Sequence, residues 1–136
     1  MKSAYILRGL PGCGKSTLAK EIANNLDAIV SADYYFMKGG KYVFEPRNLG
    51  AAHSACRKAF TEALVKGIHP VVVDNTNIKL ADFLWYEQEA IGHGYIAFIV
   101  EVHSGDPDEE LARRNSHGVP LATITKMRKN FEHRPL

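Results

Sequence analysis

No run of this sequence is apolar for long enough to cross a bilayer. The longest strongly apolar stretch, Tyr95 to Val100, falls far short of the roughly 20 residues required. The opening stretch Met1 to Gly9 is likewise too short for a signal-peptide core and runs into a glycine-rich turn, so an intracellular, cytoplasmic protein without membrane association is expected. Cysteine is scarce: Cys13 and Cys56 show no metal-type spacing, and one pair is no disulfide framework, so reduced thiols are expected. The six histidines show no metal pairing either. Internal repeats, low-complexity tracts and Pro/Ser-rich linkers are absent. A large charge of either sign is also missing, and a net charge of +2 does not by itself imply a nucleic-acid partner.

The charge is nevertheless unevenly placed. Residues 1–68 carry ten Lys/Arg against five Asp/Glu, and residues 69–136 carry seven against ten, so the halves differ as +5 against −3. A basic first half attracts an anionic ligand, or is simply a solvated face. The 136 residues, 46% apolar and 24% charged, match the size and make-up of one globular domain with a real core.

Short β-rich runs at Ala4–Leu7, Ala28–Ser31, Pro70–Val73 and Tyr95–Val102 alternate with helical patterns. The last two runs are nearly continuous in apolar residues, as strands buried on both faces require. Helical stripes follow Leu18, Ile22 and Leu26; Leu49, Ala52, Cys56, Phe60 and Leu64; and Leu80, Phe83, Leu84 and Ile91. Leu121, Ile124, Met127 and Phe131 suggest a final helix. Gly67 and Gly92 are expected helix stops, and Asp106-Pro107-Asp108-Glu109 a helix start with its cap. Strands alternating with helices predict parallel pairing through right-handed crossovers, hence a three-layer α/β domain. Tyr34 to Pro46 fits neither period and reads as a loop or flap rich in aromatic residues.

The chemistry concentrates at one motif. Gly9-Leu10-Pro11-Gly12-Cys13-Gly14-Lys15-Ser16 matches GxxxxGK[ST] between the first strand and the first helix. Glycines let the backbone wrap phosphate oxygens, and successive N–H groups at a helix N-terminus form a positive cradle. Lys15 is placed to hold the β- and γ-phosphates of ATP or another NTP, and the Ser16 hydroxyl to ligate Mg²⁺. Thr17 either contacts an inner phosphate or is a plain helical residue. Cys13 is either a small filler or, near Lys15 and the helix N-terminus, a reactive thiol.

In open α/β sheets, ligands collect at the carboxyl ends of strands. Val71-Val72-Val73-Asp74 has the form of a strand ending in a metal-holding acid, and Asn75-Thr76-Asn77 after it are suited to orient phosphate, metal-bound water or substrate. Asp33 follows the second strand, where a carboxylate can accept the proton of an acceptor hydroxyl; a turn or N-cap aspartate is the plainer role. Arg113 and Arg114 lie on or after a short helix where a lid would close. Neighbouring helical residues point apart, so one of the two, Arg114 before Arg113, is expected to face the phosphates. His53 and His117 are read as structural histidines, with substrate or lid contact as the alternative, and Trp85 as core.

Arg8-Gly9-Leu10-Pro11-Gly12 with Gly14-Lys15-Ser16-Thr17, then Ser31-Ala32-Asp33-Tyr34-Tyr35-Phe36, Tyr42-Val43-Phe44, Asp74-Asn75-Thr76-Asn77 and Arg113-Arg114-Asn115-Ser116-His117-Gly118-Val119-Pro120 together resemble polynucleotide 5′-hydroxyl kinases, above all their small stand-alone modules. The resemblance runs from the first strand to the Met127–Glu132 helix. It implies a P-loop, adenylate-kinase-like fold with a small parallel sheet of about four strands, and transfer of the ATP γ-phosphate to a 5′-hydroxyl of DNA or RNA. Lys15 and Ser16 would hold the nucleotide, Asp33 would act as general base, and a lid arginine would complete the site. Tyr35 and Phe36 in the flap, with Asn75 to Asn77, are then the expected acceptor contacts. Two departures fall on the acceptor side: the viral enzyme type has an arginine where this chain has Phe36, and its lid segment is longer before the Val-Pro pair. A small-molecule P-loop kinase and a nucleotide-binding module without transfer activity are the competing functions. Flap (about 34–46), lid (about 106–120), loop and strands use almost the whole chain as one kinase domain, and nothing in the sequence calls for an obligate protein partner.

Overall fold

The computed structural model describes residues 1–134. Strands β1 (Ser3–Arg8), β2 (Ile29–Val30), β5 (Val71–Asp74) and β6 (Ile96–Glu101) form one parallel sheet in the order β2-β5-β1-β6, while β3 (Met37–Lys38) and β4 (Lys41–Tyr42) form a separate antiparallel hairpin. Helices α1 (Lys15–Ile22), α2 (Leu49–Val65), α3 (Leu80–Gly92), α4 (Asp108–Arg114) and α5 (Leu121–Asn130) complete the chain. The expected three-layer α/β architecture is the one observed.

Side chains along each strand alternate between two cores, as the period of two demands. Ala4, Ile6, Val30, Val71 and Val73 pack toward α2 and α3 with Phe60, Phe83 and Tyr86. Leu7, Ile29 and Val72 face Ala19 on the other side, where α1 is the covering helix. Because α1 has eight residues, this second core is small. It leaves part of edge strand β6 open: Ile96 is 40% and Phe98 41% exposed, with Phe98 stacked on Tyr5 at 4.9 Å. The expectation of burial on both faces holds for β5 and fails for this edge. A third cluster, Leu10, Leu111 and Ile124, fastens α4 and α5 to the loop after β1.

Several boundaries differ from the sequence reading for local reasons. Helix α1 stops at Ile22, Ala23 is already extended, and Leu26 stands 65% exposed on a separate 3₁₀ turn. The Asn24-Asn25 pair explains the break, since short amides compete for backbone groups. On α3 the buried positions are Phe83, Tyr86 and Ala90, whereas Leu84 and Ile91 stay exposed. The Tyr86 ring meets Phe60 edge-on at 5.1 Å and takes the place expected for leucine. Helix α3 runs through Gly92, and its reversal comes at Gly94, where Tyr95 N–H donates to Ala90 and Gly94 N–H to Ile91. Gly67 ends α2 with the same pair of bonds, as expected. Pro107, rather than Asp106, precedes the first turn of α4, because the Asp106 carboxylate is engaged elsewhere. In the irregular 34–46 stretch, Gly39 and Gly40 both have positive φ (56° and 80°) and close the β3–β4 hairpin.

The frame is tied together beneath the phosphate loop by Arg8, whose side chain is fully buried. Its Nε donates to the Asn77 carbonyl at 2.8 Å, and its Nη2 to the carbonyls of Ile78 (3.1 Å) and Glu132 (2.6 Å). Nη1 reaches Glu101 at 3.4 Å, and the rings of Phe83 and Phe131 flank the guanidinium at 4.5 and 4.6 Å. Burial lowers the Arg8 pKa from its ordinary value, opposed first by Glu101, yet arginine remains charged. Replacing Arg8 by methionine leaves three carbonyls without their donor and Glu101 without its cation. We expect a loss of about 3 kcal/mol in urea unfolding, and a midpoint within error of wild type would refute this role.

Candidate active site

The carboxyl ends of β1, β2 and β5 open onto a cleft of about 650 Å³, closed on the far side by residues 114–120 and by α5. The loop after β1 forms its floor. Gly9 is buried there, and a Cβ on it would meet the Cys13 sulfur at 2.6 Å and the Val102 carbonyl at 2.7 Å, so glycine is required by space. Gly14 caps α1 with φ 103°, a conformation open to glycine. Helix α1 carries no acid in its first turn and no side-chain cap. The N–H groups of Gly12, Gly14, Lys15, Ser16 and Thr17 donate to no backbone acceptor among the described residues. Orphan donors converging at a helix N-terminus are the local chemistry of an anion site.

The cations of the cleft rest on the loop itself. Lys15, 8% exposed, donates from Nζ to the Leu10 carbonyl at 3.1 Å and lies 3.8 Å from the Cys13 sulfur. Arg114 Nε donates to the Gly12 carbonyl at 2.7 Å, and its Nη1 pairs with Asp106 at 2.7 Å. Ser16 Oγ donates to Asp74 Oδ2 at 2.8 Å, so the hydroxyl and carboxylate expected to share a metal are already adjacent. The β1–β5 register, which sets Leu7 opposite Asp74, puts the acid beside the loop.

Asp33 lies on the 3₁₀ turn Ala32–Phe36 after β2 and faces the same cleft. Tyr42 donates to its Oδ1 at 3.3 Å, and His117 Nε2 lies 3.3 Å from its Oδ2. Asn75, 8% exposed, accepts from Ala32 N–H at 2.8 Å and donates to the Cys56 sulfur at 3.5 Å, so it pins the turn that carries Asp33. Thr76 lines the cleft, and its carbonyl accepts from Gly9 N–H at 3.0 Å. Pro11, Gly12, Gly14 and Thr17 line it as well.

Some expected contacts are elsewhere. Arg113 pairs with Glu110 at the surface, 72% exposed and away from the cleft, as the turn of the helix dictates. Phe36 is 2% exposed and packs against Tyr42 and Phe44, so it belongs to the core of the hairpin. Tyr35 lines a separate groove of about 610 Å³ between β2 and α2. Asn77 is 4% exposed, donates from Nδ2 to the Leu7 carbonyl at 2.8 Å and gives its own carbonyl to Arg8, which makes it a structural link. Leu10 packs with Leu111 and Ile124, and Cys13, 8% exposed, fills space beneath Gly9. Among the cleft-lining residues that the sequence reading did not assign to the site are Tyr42 and the two histidines it took as structural, with substrate or lid contact as the alternative, His53 and His117. The Arg-Asn-Ser-His-Gly-Val-Pro segment carried the one sequence signal for His117.

A family profile described as an AAA domain matches residues 5–134. The chain belongs to this AAA-domain family. Human NEDD4-binding protein 2 is 38% identical over 136 residues, covering 93% of this chain and 7% of that protein. Human YLP motif-containing protein 1 is 25% identical over 156 residues, covering 96% of this chain and 7% of that protein. The chain therefore spans a small fraction of these curated relatives. Among solved structures, the Pnkp1/Rnl/Hen1 complex has a TM-score of 0.63 at 23% identity, over 83% of this chain and 38% of that one. A gluconokinase from Sinorhizobium meliloti 1021 gives 0.57 at 17% identity, over 96% and 75%. Kti12 of Chaetomium thermophilum in complex with ADP-AlF3 gives 0.60 at 16%, over 96% and 80%. At these identities the likeness is one of fold.

Two measurements probe the cleft. If Lys15 holds a phosphate of ATP, Lys15→Ala removes a charge-assisted contact of about 2 kcal/mol and ATP affinity should fall about thirtyfold while the far-UV circular dichroism stays unchanged; equal affinity would contradict that role. Burial first, then the charge of Asp33 and its hydrogen bond, push the Tyr42 hydroxyl from 10.0 up to about 12. The unfolded chain ionises this tyrosine earlier, so its contribution to stability is complete below pH 10 and is lost as the pH rises toward 12. Other tyrosines, Tyr34, Tyr86 and Tyr95, are raised too, so the reading is the difference from Tyr42→Phe, which should lose less stability across that window. Parallel curves would contradict the Tyr42–Asp33 contact.

Proposed function

We propose that the chain transfers the γ-phosphoryl group of ATP, or another NTP, to a hydroxyl, and that the acceptor is the 5′-hydroxyl end of DNA or RNA. The observation that carries this reading is the meeting of Lys15, Ser16 with Asp74, Asp33 and Arg114 around one cleft. Phosphoryl transfer asks for little covalent chemistry: a cradle for the phosphates, positive charge on the transferring group, and an oriented nucleophile. The orphan N–H groups and Lys15 supply the first, Arg114 the second once it leaves the Gly12 carbonyl, and Asp33 takes the proton of the acceptor.

Magnesium fits the residues present. Ser16 and Asp74 offer two hard oxygen donors 2.8 Å apart, and no group of three or more His, Cys, Asp or Glu that could hold a metal occurs among the described residues. Such a sparse set suits an ion that keeps waters and takes phosphate oxygens for the rest of its shell. When bound, Mg²⁺ would neutralise charge on the phosphates.

Nucleic acid is favoured by what surrounds Asp33. Phe44 in the cleft is 46% exposed, Tyr34 and Tyr35 on the turn of Asp33 face the neighbouring groove at 52% and 44% exposure, and Lys38, Lys41 and Arg47 are exposed on and beside the hairpin. Aromatic faces interleaved with cations suit a strand whose bases stack at about 1 to 3 kcal/mol each. The resemblance to polynucleotide kinases points the same way. The cleft volume, which also falls within the range for small-molecule ligands, supports a sugar, nucleoside or antibiotic as the second reading.

Incubation with γ-labelled ATP, Mg²⁺ and a panel of 5′-hydroxyl DNA and RNA oligonucleotides, with sugars and nucleosides in parallel, separates these readings. Label should enter an oligonucleotide, and Asp33→Asn should lower the rate by about a hundredfold or more. Label on a small molecule alone would replace the acceptor, no label on any acceptor would leave a nucleotide-binding module, and an unimpaired Asp33→Asn would remove the base.

A further inference from the structure

Asp33 is poorly held by its own element. It lies on a five-residue 3₁₀ turn, its side chain is 42% exposed, and Tyr42 is the one group from the hairpin that bonds it. The other contact comes from far along the chain. His117 Nε2 lies 3.3 Å from Asp33 Oδ2, and the imidazole packs against the Tyr42 ring with centroids 4.1 Å apart. The opposite nitrogen, Nδ1, is buried without a hydrogen-bond partner among the described residues. A buried ring nitrogen with nothing to bond suits a bare lone pair better than an N–H, which selects the tautomer that donates from Nε2 to Asp33.

His117 is delivered by a stiff turn. Asn115 Nδ2 donates to the carbonyls of Leu111 (3.0 Å), Ala112 (3.1 Å) and Val119 (3.0 Å), while its Oδ1 accepts from Val119 N–H at 2.8 Å. Gly118, φ 68°, permits the reversal. The same turn follows directly on Arg114, so one segment carries both the cation bound to the phosphate loop and the imidazole bound to Asp33.

We propose that His117 is a positioning residue: its Nε2–H fixes the Asp33 carboxylate for the acceptor and makes the competence of that base depend on the seating of the 114–120 segment. The inference rests on the kinase reading above. In the step it serves, the acceptor O–H bond breaks and its proton passes to Asp33. The freed electron pair of the acceptor oxygen forms the bond to the γ-phosphorus, and the bond from that phosphorus to the bridging oxygen breaks, its electrons leaving on ADP. Each Asp33 oxygen spends one lone pair on Tyr42 or His117 and retains another for the incoming hydroxyl.

The test compares His117→Ala with His117→Gln in wild-type and Asp33→Ala backgrounds. His117→Ala should lower kcat by about tenfold to a hundredfold, the scale of a misplaced catalytic group, with the KM for ATP within about twofold. His117→Gln, whose amide N–H extends to the same place, should recover most of the loss. In the Asp33→Ala background the His117→Ala change should cost nothing more, because its effect passes through Asp33. Proton NMR gives a reading independent of turnover: a slowly exchanging imidazole N–H resonance, absent in His117→Gln, should vanish in Asp33→Ala. An equal loss in both backgrounds, no recovery with glutamine, or a resonance indifferent to Asp33 would overturn the inference and leave a merely structural histidine. A wild type that phosphorylates no acceptor marks failure of the kinase reading and removes the role with it. An active wild type with unimpaired His117→Ala overturns the inference alone.

Discussion

The buried guanidinium of Arg8 is the constraint on which the rest of the structure depends. It occupies the last position of the central strand, immediately before the phosphate loop, and its donors reach the segment after β5 and the segment after α5. Three carbonyls, the adjacent pair Asn77 and Ile78 and the far-removed Glu132, are satisfied by one fork, which a lysine with its point-like ammonium could not reproduce. Two aromatic rings and Glu101 complete the enclosure. A charge so buried is costly unless fully bonded, so the segments that bond it are held to one arrangement. The start of the loop, the Asp74–Asn77 segment and the chain beyond α5 are thereby fixed together beneath the cleft.

On that frame the cleft is assembled with its charges satisfied internally. Lys15 and Arg114 rest on carbonyls of the loop, and Ser16 rests on Asp74. These bonds keep the cations where phosphates would meet them, at little reorganisation cost, because a carbonyl is a weaker partner for a cation than a phosphate. Asp33 is likewise held by Tyr42 of the nearby hairpin and by His117 from far along the chain, which ties its side of the cleft to the side that carries Arg114. The parallel α/β fold provides the strand ends, and any chemistry depends on what these few side chains do there.

What could be read from the sequence was whatever has a short-range signature. The four parallel strands announced themselves as apolar runs, and the phosphate loop as a spacing of glycines, lysine and serine, because each is dictated by neighbours in the chain. The Gly39-Gly40 hairpin was equally local and was passed over, its strands being two residues each. The exposure of Ile96 and Phe98 was not legible, since it depends on which strand ends at the edge and on the shortness of the helix across from it. Asn77 looked like a substrate contact and is a strut, because its role is set by Arg8, 69 residues away. The Asp33–His117 contact spans a still longer separation and depends on a turn shaped by Asn115, so the sequence points to Asp33 but reads His117 as a structural histidine.

On the function proposed above, this cleft is preformed for a nucleotide and metal. A structure with a non-hydrolysable ATP analogue and Mg²⁺ tests it most directly. The expected result is phosphates in the loop with its backbone unmoved, Lys15 and Arg114 transferred from the Leu10 and Gly12 carbonyls to phosphate oxygens, and the metal between Ser16 and Asp74. A triphosphate bound elsewhere, or a loop that must refold to receive it, would contradict the claim.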